Sequence, residues 1–237
     1  MSFRDRFSFL DRSAGAPSGK DDFAVLRAEM VEKQIRRRGI SSPRVLEAML
    51  AVPRHEFVPQ ASLADAYADK PLPIGESQTI SQPYIVASMT AALALAGAER
   101  VLEVGAGCGY QAAVLSRLAA DVYTIESRLP LALAARERLE RLGYSNVHVH
   151  AGDGTLGLVE CAPFDAILVT AAAPAPPAPL VEQLAEGGRL VIPVGPSDYQ
   201  ELLLIHKFSG QTLQRVLEEC RFVPLVGRHG WREPFIE

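Results

Sequence analysis

The N-terminal part of the chain carries apolar residues at helical spacing. This periodicity predicts three helices, the first ended by Gly39 after a last turn of three arginines. The predicted helices cover residues 22–38, 42–52 and 85–95. Residues 53–83, between the second and third helices, are rich in proline and polar residues and predict a long loop. Loops of that length inside a compact domain are often functional.

From residue 100 onward, short apolar runs alternate with helical patterns. We predict strands at 100–104, 122–126, 147–150, 164–170 and 188–194, and helices at 110–119, 129–142 and 179–185. This alternation favours βαβ units and a parallel sheet covered on both faces. Two further apolar runs, 201–208 and 214–226, lie close together and predict an antiparallel edge.

The predicted fold is therefore α/β, a doubly wound and mostly parallel sheet with N-terminal helices and an antiparallel C-terminal edge. We expect residues 1–21 to form a flexible N-terminal arm, although its apolar residues could dock elsewhere. Residues 22–237 are expected to form a single domain. Its predicted parts are the N-terminal helices with the long loop (22–98), a ligand-binding core (99–195) and the antiparallel C-terminal strands (196–237).

Composition and charge exclude several classes of function. Hydrophobic residues make up 48% and charged residues 22% of the 237 residues, which is typical of a globular protein. The formal net charge of −4 lacks the positive excess that drives binding to nucleic acid or anionic membranes, so we expect neither partner. The arginines Arg36–Arg38 end a predicted helix, where cations interact favourably with the helix dipole.

We expect a cytoplasmic protein. The longest apolar stretch, Val86–Ala98, is shorter than the roughly 20 residues that cross a bilayer. The first residues lack the apolar core of a signal peptide. The cysteines show neither CxxC pairing nor a zinc spacing, which suits a reducing compartment. They are Cys108, Cys161 and Cys220.

The most informative local signal is a glycine-rich loop between a predicted strand and a predicted helix. Gly105, Gly107 and Gly109 permit a tight turn and a close approach of the backbone to a ligand. The dinucleotide fingerprint GxGxxG requires a glycine at position 110, which is Tyr110. The GxGxG spacing therefore fits a nucleoside ligand that has no pyrophosphate.

Three acids lie at or near the ends of the strands around this loop. Glu126 ends the second strand of the alternating region, where a carboxylate can accept hydrogen bonds from both hydroxyls of a ribose. Asp153, between two glycines after the third strand, either accepts from an adenine amino group or forms an Asx-type turn. Glu103, inside the first strand, is costly to bury alone, so it either reaches a charged end of the ligand or pairs with a base. Together these features indicate S-adenosyl-L-methionine.

Five segments of the chain, spread over roughly residues 25–230, resemble the protein-L-isoaspartate O-methyltransferase family. The glycine loop is shared with many methyltransferases, whereas GxxQTISQPY is far more specific. The segments are PLPIGESQTISQPY (71–84), VLEVGAGCGYQAAVLS (101–116), FDAILVTAAAP (164–174), GGRLVIPVG (187–195) and RFVPLVG (221–227). The resemblance implies a Rossmann-like class I methyltransferase fold.

The resemblance also implies an activity and its site residues. The activity is methylation, dependent on S-adenosyl-L-methionine, of the free α-carboxylate of L-isoaspartyl residues in damaged proteins, which starts repair through a succinimide. The family's active-site serine maps onto Ser81, with Thr79 and Ile80 beside it at the substrate. Position 86 is Val86 where animal members have a polar residue, so no contact is assigned there. The donor-binding positions are Glu103, Gly105, Gly107, Gly109, Glu126, Ser127, Asp153 and Gly154.

This chemistry requires neither a general base nor a metal. A carboxylate is already ionised at neutral pH, so the site has to align it with the methyl group and exclude water. A hydroxyl such as that of Ser81 can orient the carboxylate by donating a hydrogen bond. The histidines show no metal-binding motif; His148 and His150 share one face of a strand, but surface or core positions are favoured for them.

Two other hypotheses remain open from the sequence. The chain could methylate another carboxylate or a small molecule with the same fold, or it could bind S-adenosyl-L-methionine without catalysis. Ser81, Glu126 and Asp153 argue against the second, because a decayed site loses such groups. We expect a monomer whose acceptors are exposed, flexible chain segments.

Overall fold

The computed structural model describes residues 20–232. Its helices are α1 (Lys20–Met30), α2 (Pro43–Ala51), α3 (Pro83–Ala92), α4 (Tyr110–Ser116), α5 (Leu129–Arg141) and α6 (Ala178–Glu182). Its strands are β1 (Leu72–Gly75), β2 (Gln78–Ile80), β3 (Arg100–Val104), β4 (Asp121–Glu126), β5 (Val147–Ala151), β6 (Phe164–Val169), β7 (Leu184–Val194), β8 (Gln200–Phe208) and β9 (Gln211–Cys220). None of the helices in this range is long and apolar enough to cross a membrane.

A seven-stranded sheet in the order β5-β4-β3-β6-β7-β8-β9 organises the molecule. Strands β3 to β7 pair with one another in parallel, β8 pairs antiparallel with β7, and β9 pairs antiparallel with β8. The predicted sheet and its antiparallel edge are thereby confirmed. The strand order reverses at β3: β4 and β5 are added on one side of it, and β6 and the later strands on the other. Ligands of open α/β sheets bind at such a point, beyond the carboxyl ends of the strands.

The central strands are apolar on both faces because helices cover both faces. Val101 and Leu102 are adjacent in β3 and both fully buried, yet they belong to different clusters. Val101 packs with residues of the N-terminal helices, such as Met30, and Leu102 packs on the opposite face with Leu180 of α6. Burial on both faces places β3 in the centre of the sheet, and the glycine loop begins at its carboxyl end.

The N-terminal helix differs from the prediction at its start. It begins at Lys20 rather than at residue 22, so Asp21 and Asp22 both lie in its first turn, where negative charge interacts favourably with the helix dipole. It continues through a π turn and a 3₁₀ turn to Arg38, and Gly39 in the left-handed conformation ends it as predicted. The predicted arm lies outside the described residues, apart from its last two positions.

The arginines that end this helix form ion pairs with nearby acids. Arg36 and Arg37 contact Glu32, and Arg38 pairs with Asp69 at 2.9 Å. The Arg38 guanidinium also lies 3.5 Å from the centre of the Tyr84 ring. These contacts agree with the interpretation of this basic run as a helix end.

The prediction of an unbroken loop over residues 53–83 is wrong. The segment contains two 3₁₀ turns, Arg54–Phe57 and Gln60–Asp65, and the antiparallel hairpin β1–β2. The hairpin turn uses Glu76 and Ser77, both with positive φ. Side chains other than glycine seldom adopt that conformation, so the sequence gives no turn signal there.

The last predicted strand also ends earlier than expected, at Cys220 rather than at residue 226. Beyond Cys220 the chain leaves β8 and crosses to the carboxyl end of β6. There the Ala172 N–H donates to the Val223 carbonyl and the Leu225 N–H donates to the Ala172 carbonyl, both at 2.8 Å. Pro224 between them has no N–H to continue a ladder. This crossing brings residues 223–226 to the ligand end of the sheet.

Candidate active site

A cleft of about 840 Å³, counted with its open mouth, lies at the point where the strand order reverses. The walls come from the glycine loop after β3, the end of β4, the segment around β2 and the crossing segment 223–226. The predicted site residues in its lining are Thr79, Ile80, Ser81, Gly105, Gly107, Glu126, Ser127 and Gly154.

The glycine loop turns sharply because Gly105 adopts a conformation that other residues avoid. Its φ is +99°, and a Cβ at this position would lie 2.2 Å from the Thr170 hydroxyl oxygen. That hydroxyl donates to the Gly105 carbonyl at 2.7 Å and ties the end of β6 to the loop. Gly109 instead packs against Leu139 of α5 and does not line the cleft.

Gly105→Ala is expected to destabilise the fold by more than strain alone. Gly39→Ala is the matched control, because Gly39 has nearly the same φ, +98°, with nothing within 4 Å of an added Cβ. Left-handed strain costs about 1–2 kcal/mol in both variants, and overpacking adds about 1–3 kcal/mol at Gly105 only. Urea unfolding measures both, and equal losses would contradict the close packing against Thr170.

Glu126 lies in the cleft with its carboxylate held by backbone donors. Its Oε2 accepts from the Gly107 N–H at 2.8 Å, and its Oε1 accepts from the Arg128 N–H at 2.9 Å. The Ser127 hydroxyl lies 3.4 Å from the same Oε1. A carboxylate offers about four lone-pair sites, so acceptor capacity remains for a ligand. The glycine loop and the predicted ribose acceptor are thus one hydrogen-bonded unit.

Asp153 lies beside the cleft, and its carboxylate is engaged in a local turn. Oδ1 accepts from the backbone and hydroxyl of Thr155 at 2.9 and 2.6 Å, and Oδ2 accepts from the Arg228 N–H at 2.7 Å. Burial raises the pKa of Asp153, but these hydrogen bonds outweigh burial and lower the pKa below its ordinary value. This geometry is an Asx-type turn, and the contact of Asp153 with an adenine amino group stays a prediction. Gly154, next to it, lines the cleft.

Glu103 is fully buried and does not line the cleft. Its Oε2 accepts a hydrogen bond from the Thr124 hydroxyl, and its Oε1 has no partner among residues 20–232. Burial raises the pKa of Glu103 to about 8, with a smaller contribution in the same direction from the charge of Glu126. The side chain is therefore mainly protonated at neutral pH, and it pairs with no base in the described part of the chain.

This raised pKa predicts a pH-dependent stability. Between the ordinary glutamate pKa and about 8, the folded chain holds a proton that the unfolded chain releases. The contribution of Glu103 to stability therefore falls as pH rises, by up to about 1.4 kcal/mol per pH unit. Glu103→Gln cannot ionise and lacks this slope.

Thermal unfolding at pH 5, 6.5 and 8 is the measurement for this prediction. Relative to wild type, we expect Glu103→Gln to gain stability steadily from pH 5 to pH 8. Glu137→Gln, at an exposed position of α5, is the control and should show no such trend. Parallel pH profiles for wild type and Glu103→Gln would show that Glu103 is not held protonated.

The predicted acceptor residues lie on and just after β2. Thr79 is exposed, Ile80 is 4% exposed and anchors the hairpin in the core, and Ser81 is half-buried in the cleft. The Ser81 carbonyl accepts from the Arg54 guanidinium at 2.8 Å. This contact fixes the main chain next to the hydroxyl that the resemblance assigns to the acceptor.

Sequence reasoning missed several polar residues of this site. Thr170 lines the cleft, as does Gln111, whose amide donates to the Thr90 hydroxyl at 2.9 Å. Arg54 lies behind the Ser81 segment. The only available signal was a polar residue type within an apolar stretch, which sequence alone cannot distinguish from a surface position.

No contact in the described part of the chain assigns a chemical role to Cys108, His148 or His150. Cys108 lines it, and burial raises the pKa of its thiol. His148 and His150 lie outside the cleft lining, next to the Tyr123 ring. Within residues 20–232, no cluster of three His, Cys, Asp or Glu is arranged to hold a metal ion.

Two bacterial proteins that share one name are similar to this chain over most of its length. The chain is 57% identical over 211 residues to the protein-L-isoaspartate O-methyltransferase of Geobacter metallireducens, covering 89% of this chain and 98% of that protein. It is 58% identical over 211 residues to the enzyme of the same name from Roseiflexus castenholzii, covering 89% and 96%.

Solved structures and a family model agree with these relatives. A protein-L-isoaspartate O-methyltransferase structure superposes with a TM-score of 0.78 at 33% identity, covering 86% of this chain and 67% of that one. A Plasmodium falciparum protein described by the same name, in complex with S-adenosyl-L-homocysteine, gives 0.74 at 27%, covering 84% and 98%. The family model for protein-L-isoaspartate(D-aspartate) O-methyltransferase matches residues 26–230. With its cleft, its sheet and these relatives in agreement, the chain belongs to the protein-L-isoaspartate O-methyltransferase family.

Proposed function

We propose that this chain carries out the reaction of its family in the cleft at the reversal of strand order. The reaction is transfer of a methyl group from S-adenosyl-L-methionine to the free α-carboxylate of an L-isoaspartyl residue in a damaged protein. The resulting ester cyclises to a succinimide, and hydrolysis returns part of it to normal aspartate. The observation that carries the proposal is that Glu126, held by the glycine loop, and Ser81 line the same cleft.

Glu126 is proposed to bind the ribose of the donor. Its two oxygens already accept from Gly107 and Arg128, so the carboxylate is fixed in place before the ligand binds. The remaining lone pairs fit the two ribose hydroxyls. Gly105, Gly107 and Gly154 leave room for the nucleoside along the same wall, with Ser127 at the end of β4.

Asp153 and Glu103 are proposed to support the donor site through the structure around it. Asp153 fixes the turn that presents Gly154 and the neighbouring backbone to the nucleoside. Glu103 supports the wall below the loop in its protonated form. These roles follow from the engaged carboxylate of Asp153 and the complete burial of Glu103.

Ser81 is proposed to orient the acceptor. An ionised carboxylate needs no base, and the Ser81 hydroxyl can donate a hydrogen bond to one of its oxygens, with Thr79 and Ile80 shaping the entrance. The carboxylate oxygen gains the methyl group as the sulfur–methyl bond breaks, and both formal charges disappear. A cleft that excludes water favours this loss of charge, because solvent stabilises the charged reactants more than the neutral products.

Acceptor choice tests the proposed function. Matched peptides that differ only in isoaspartate or aspartate are incubated with the chain and S-adenosyl-L-methionine labelled in its methyl group. We expect label in the isoaspartyl peptide alone. Equal labelling of both peptides, or of neither, would exclude this activity and favour another methyltransferase or a non-catalytic binding protein.

The acceptor is further proposed to be an exposed, flexible segment, because a carboxylate in a folded core cannot reach the cleft. Denatured isoaspartyl proteins should therefore be methylated faster than the same proteins in native form. Comparable rates for both forms would contradict this.

The single domain over residues 22–237, the monomeric state and the cytoplasmic location stay predictions.

A further inference from the structure

Arg54 is a fully buried cation directly behind the proposed acceptor residue. It begins the 3₁₀ turn Arg54–Phe57 and is 0% exposed. Its Nε donates to the Ala66 carbonyl at 2.9 Å, and its Nη2 donates to the Ser81 carbonyl at 2.8 Å. Its guanidinium therefore connects the loop between the 3₁₀ turns and β1 to the main chain at the acceptor position.

The charge of Arg54 has no counterion in the described part of the chain. The ionisable groups that act on Arg54 within residues 20–232 are Tyr110, Cys108 and Tyr67, with no carboxylate among them, and its Nη1 makes no hydrogen bond of ordinary geometry there. The guanidinium carbon lies 4.9 Å from the centre of the Tyr110 ring. Burial raises the pKa of both Tyr110 and Cys108, so these neighbours are uncharged at neutral pH.

A buried and unpaired cation destabilises a fold unless something compensates for it. Burial lowers the pKa of Arg54, but arginine starts so high that the guanidinium stays charged at neutral pH. The proposed acceptor supplies an anion at the Ser81 hydroxyl, in the same residue whose carbonyl accepts from Arg54. The two charges would interact through the protein interior, which screens them less than water does.

Building on the proposed function, we propose that Arg54 is a positioning residue for the acceptor that selects its ionised carboxylate. It holds the Ser81 main chain through a hydrogen bond, and its positive charge attracts the carboxylate without touching it. Methylation removes the negative charge of the acceptor. The same residue therefore favours binding of the substrate and release of the neutral ester.

A purely structural role makes a different prediction. If Arg54 only connects two backbone carbonyls, its replacement weakens the binding of all acceptors by the same factor, whether they are charged or neutral. If its charge acts on the acceptor, replacement by a neutral residue removes the preference for the carboxylate. The preference, rather than the affinity, is the quantity to measure.

The experiment uses two peptides that are identical except for the α-group of the isoaspartyl residue, which is a carboxylate in one and a carboxamide in the other. Their dissociation constants are measured by calorimetry on the full chain saturated with S-adenosyl-L-homocysteine. We expect wild type to bind the carboxylate about 10- to 50-fold more tightly than the neutral carboxamide. We expect Arg54→Lys to keep this preference within about threefold, and Arg54→Gln to reduce it below about threefold.

Two controls accompany the variants. Arg141→Gln removes one charge from an exposed ion pair with Glu56 and should leave the preference unchanged. The affinity of each variant for S-adenosyl-L-homocysteine, expected to equal that of wild type, shows that the fold is intact. If Arg54→Gln fails this check, Arg54→Lys decides: a retained preference supports the proposal, and a lost preference overturns it.

Two further results would overturn the proposal. One is equal affinity of wild type for the charged and neutral peptides, which needs no variant. The other is an unchanged preference in a folded Arg54→Gln. The proposed function fails separately, if wild type transfers no methyl group to the carboxylate peptide.

Discussion

Replacing Ser81 by alanine is expected to slow methyl transfer to an isoaspartyl peptide roughly 5- to 150-fold, measured as kcat/KM. Ser81 lines the same cleft as the glycine loop, and loss of its hydroxyl removes the proposed orienting hydrogen bond, worth about 1–3 kcal/mol. Because Ser81 does not touch the donor in this account, affinity for S-adenosyl-L-homocysteine should stay within about twofold.

A matched control for this change is Ser145→Ala, at an exposed turn outside the cleft. It should leave kcat/KM unchanged. Normal turnover in Ser81→Ala would remove the serine from the acceptor site. A parallel loss of donor affinity would show instead that the substitution disturbs the whole cleft, and the acceptor role would then be unsupported.

Replacing Glu126 by glutamine is expected to weaken binding of S-adenosyl-L-homocysteine by a factor of roughly 10 to more than 1,000. The carboxylate accepts from two backbone N–H groups and is assigned two ribose hydroxyls. A glutamine amide has only one accepting oxygen, and its NH₂ group would face a backbone donor. Hydrogen bonds to a charged group contribute about 1.5–3 kcal/mol each, so losing one or two gives a change of this size.

Isothermal titration calorimetry measures this effect directly. Glu137→Gln, an exposed substitution of the same type on α5, should bind as wild type does. If Glu126→Gln also binds normally, the ribose does not contact Glu126 and the proposed orientation of the donor is wrong. Thermal unfolding of both variants without ligand separates a lost contact from a collapsed loop.

The alternating part of the fold could be predicted because burial on both faces makes strands such as β3 and β6 mostly apolar. The strand order at the C-terminal edge could not be predicted, because β8 and β9 pair through backbone groups that any sequence supplies. The β1–β2 hairpin was missed for a local reason. Its turn places Glu76 and Ser77 at positive φ, where the usual signal is glycine or asparagine.

In the candidate site too, residues that belong to a local motif could be predicted, whereas residues whose role depends on tertiary contacts could not. Gly105, Glu126 and Ser81 were predicted from local motifs or resemblance, and the fold brings them into one cleft. The spacing of Glu103 in its motif did not reveal that its side chain lies below the cleft wall. Arg54 could not be found at all, because its signal is burial without a counterion.

A crystal structure of the chain with S-adenosyl-L-homocysteine and an isoaspartyl peptide tests the central claim most directly. We predict the ribose hydroxyls on the Glu126 carboxylate, and the α-carboxylate of the isoaspartyl residue on the Ser81 hydroxyl with one oxygen facing the sulfur. A nucleoside bound away from Glu126, or a peptide carboxylate out of reach of Ser81, would contradict the account.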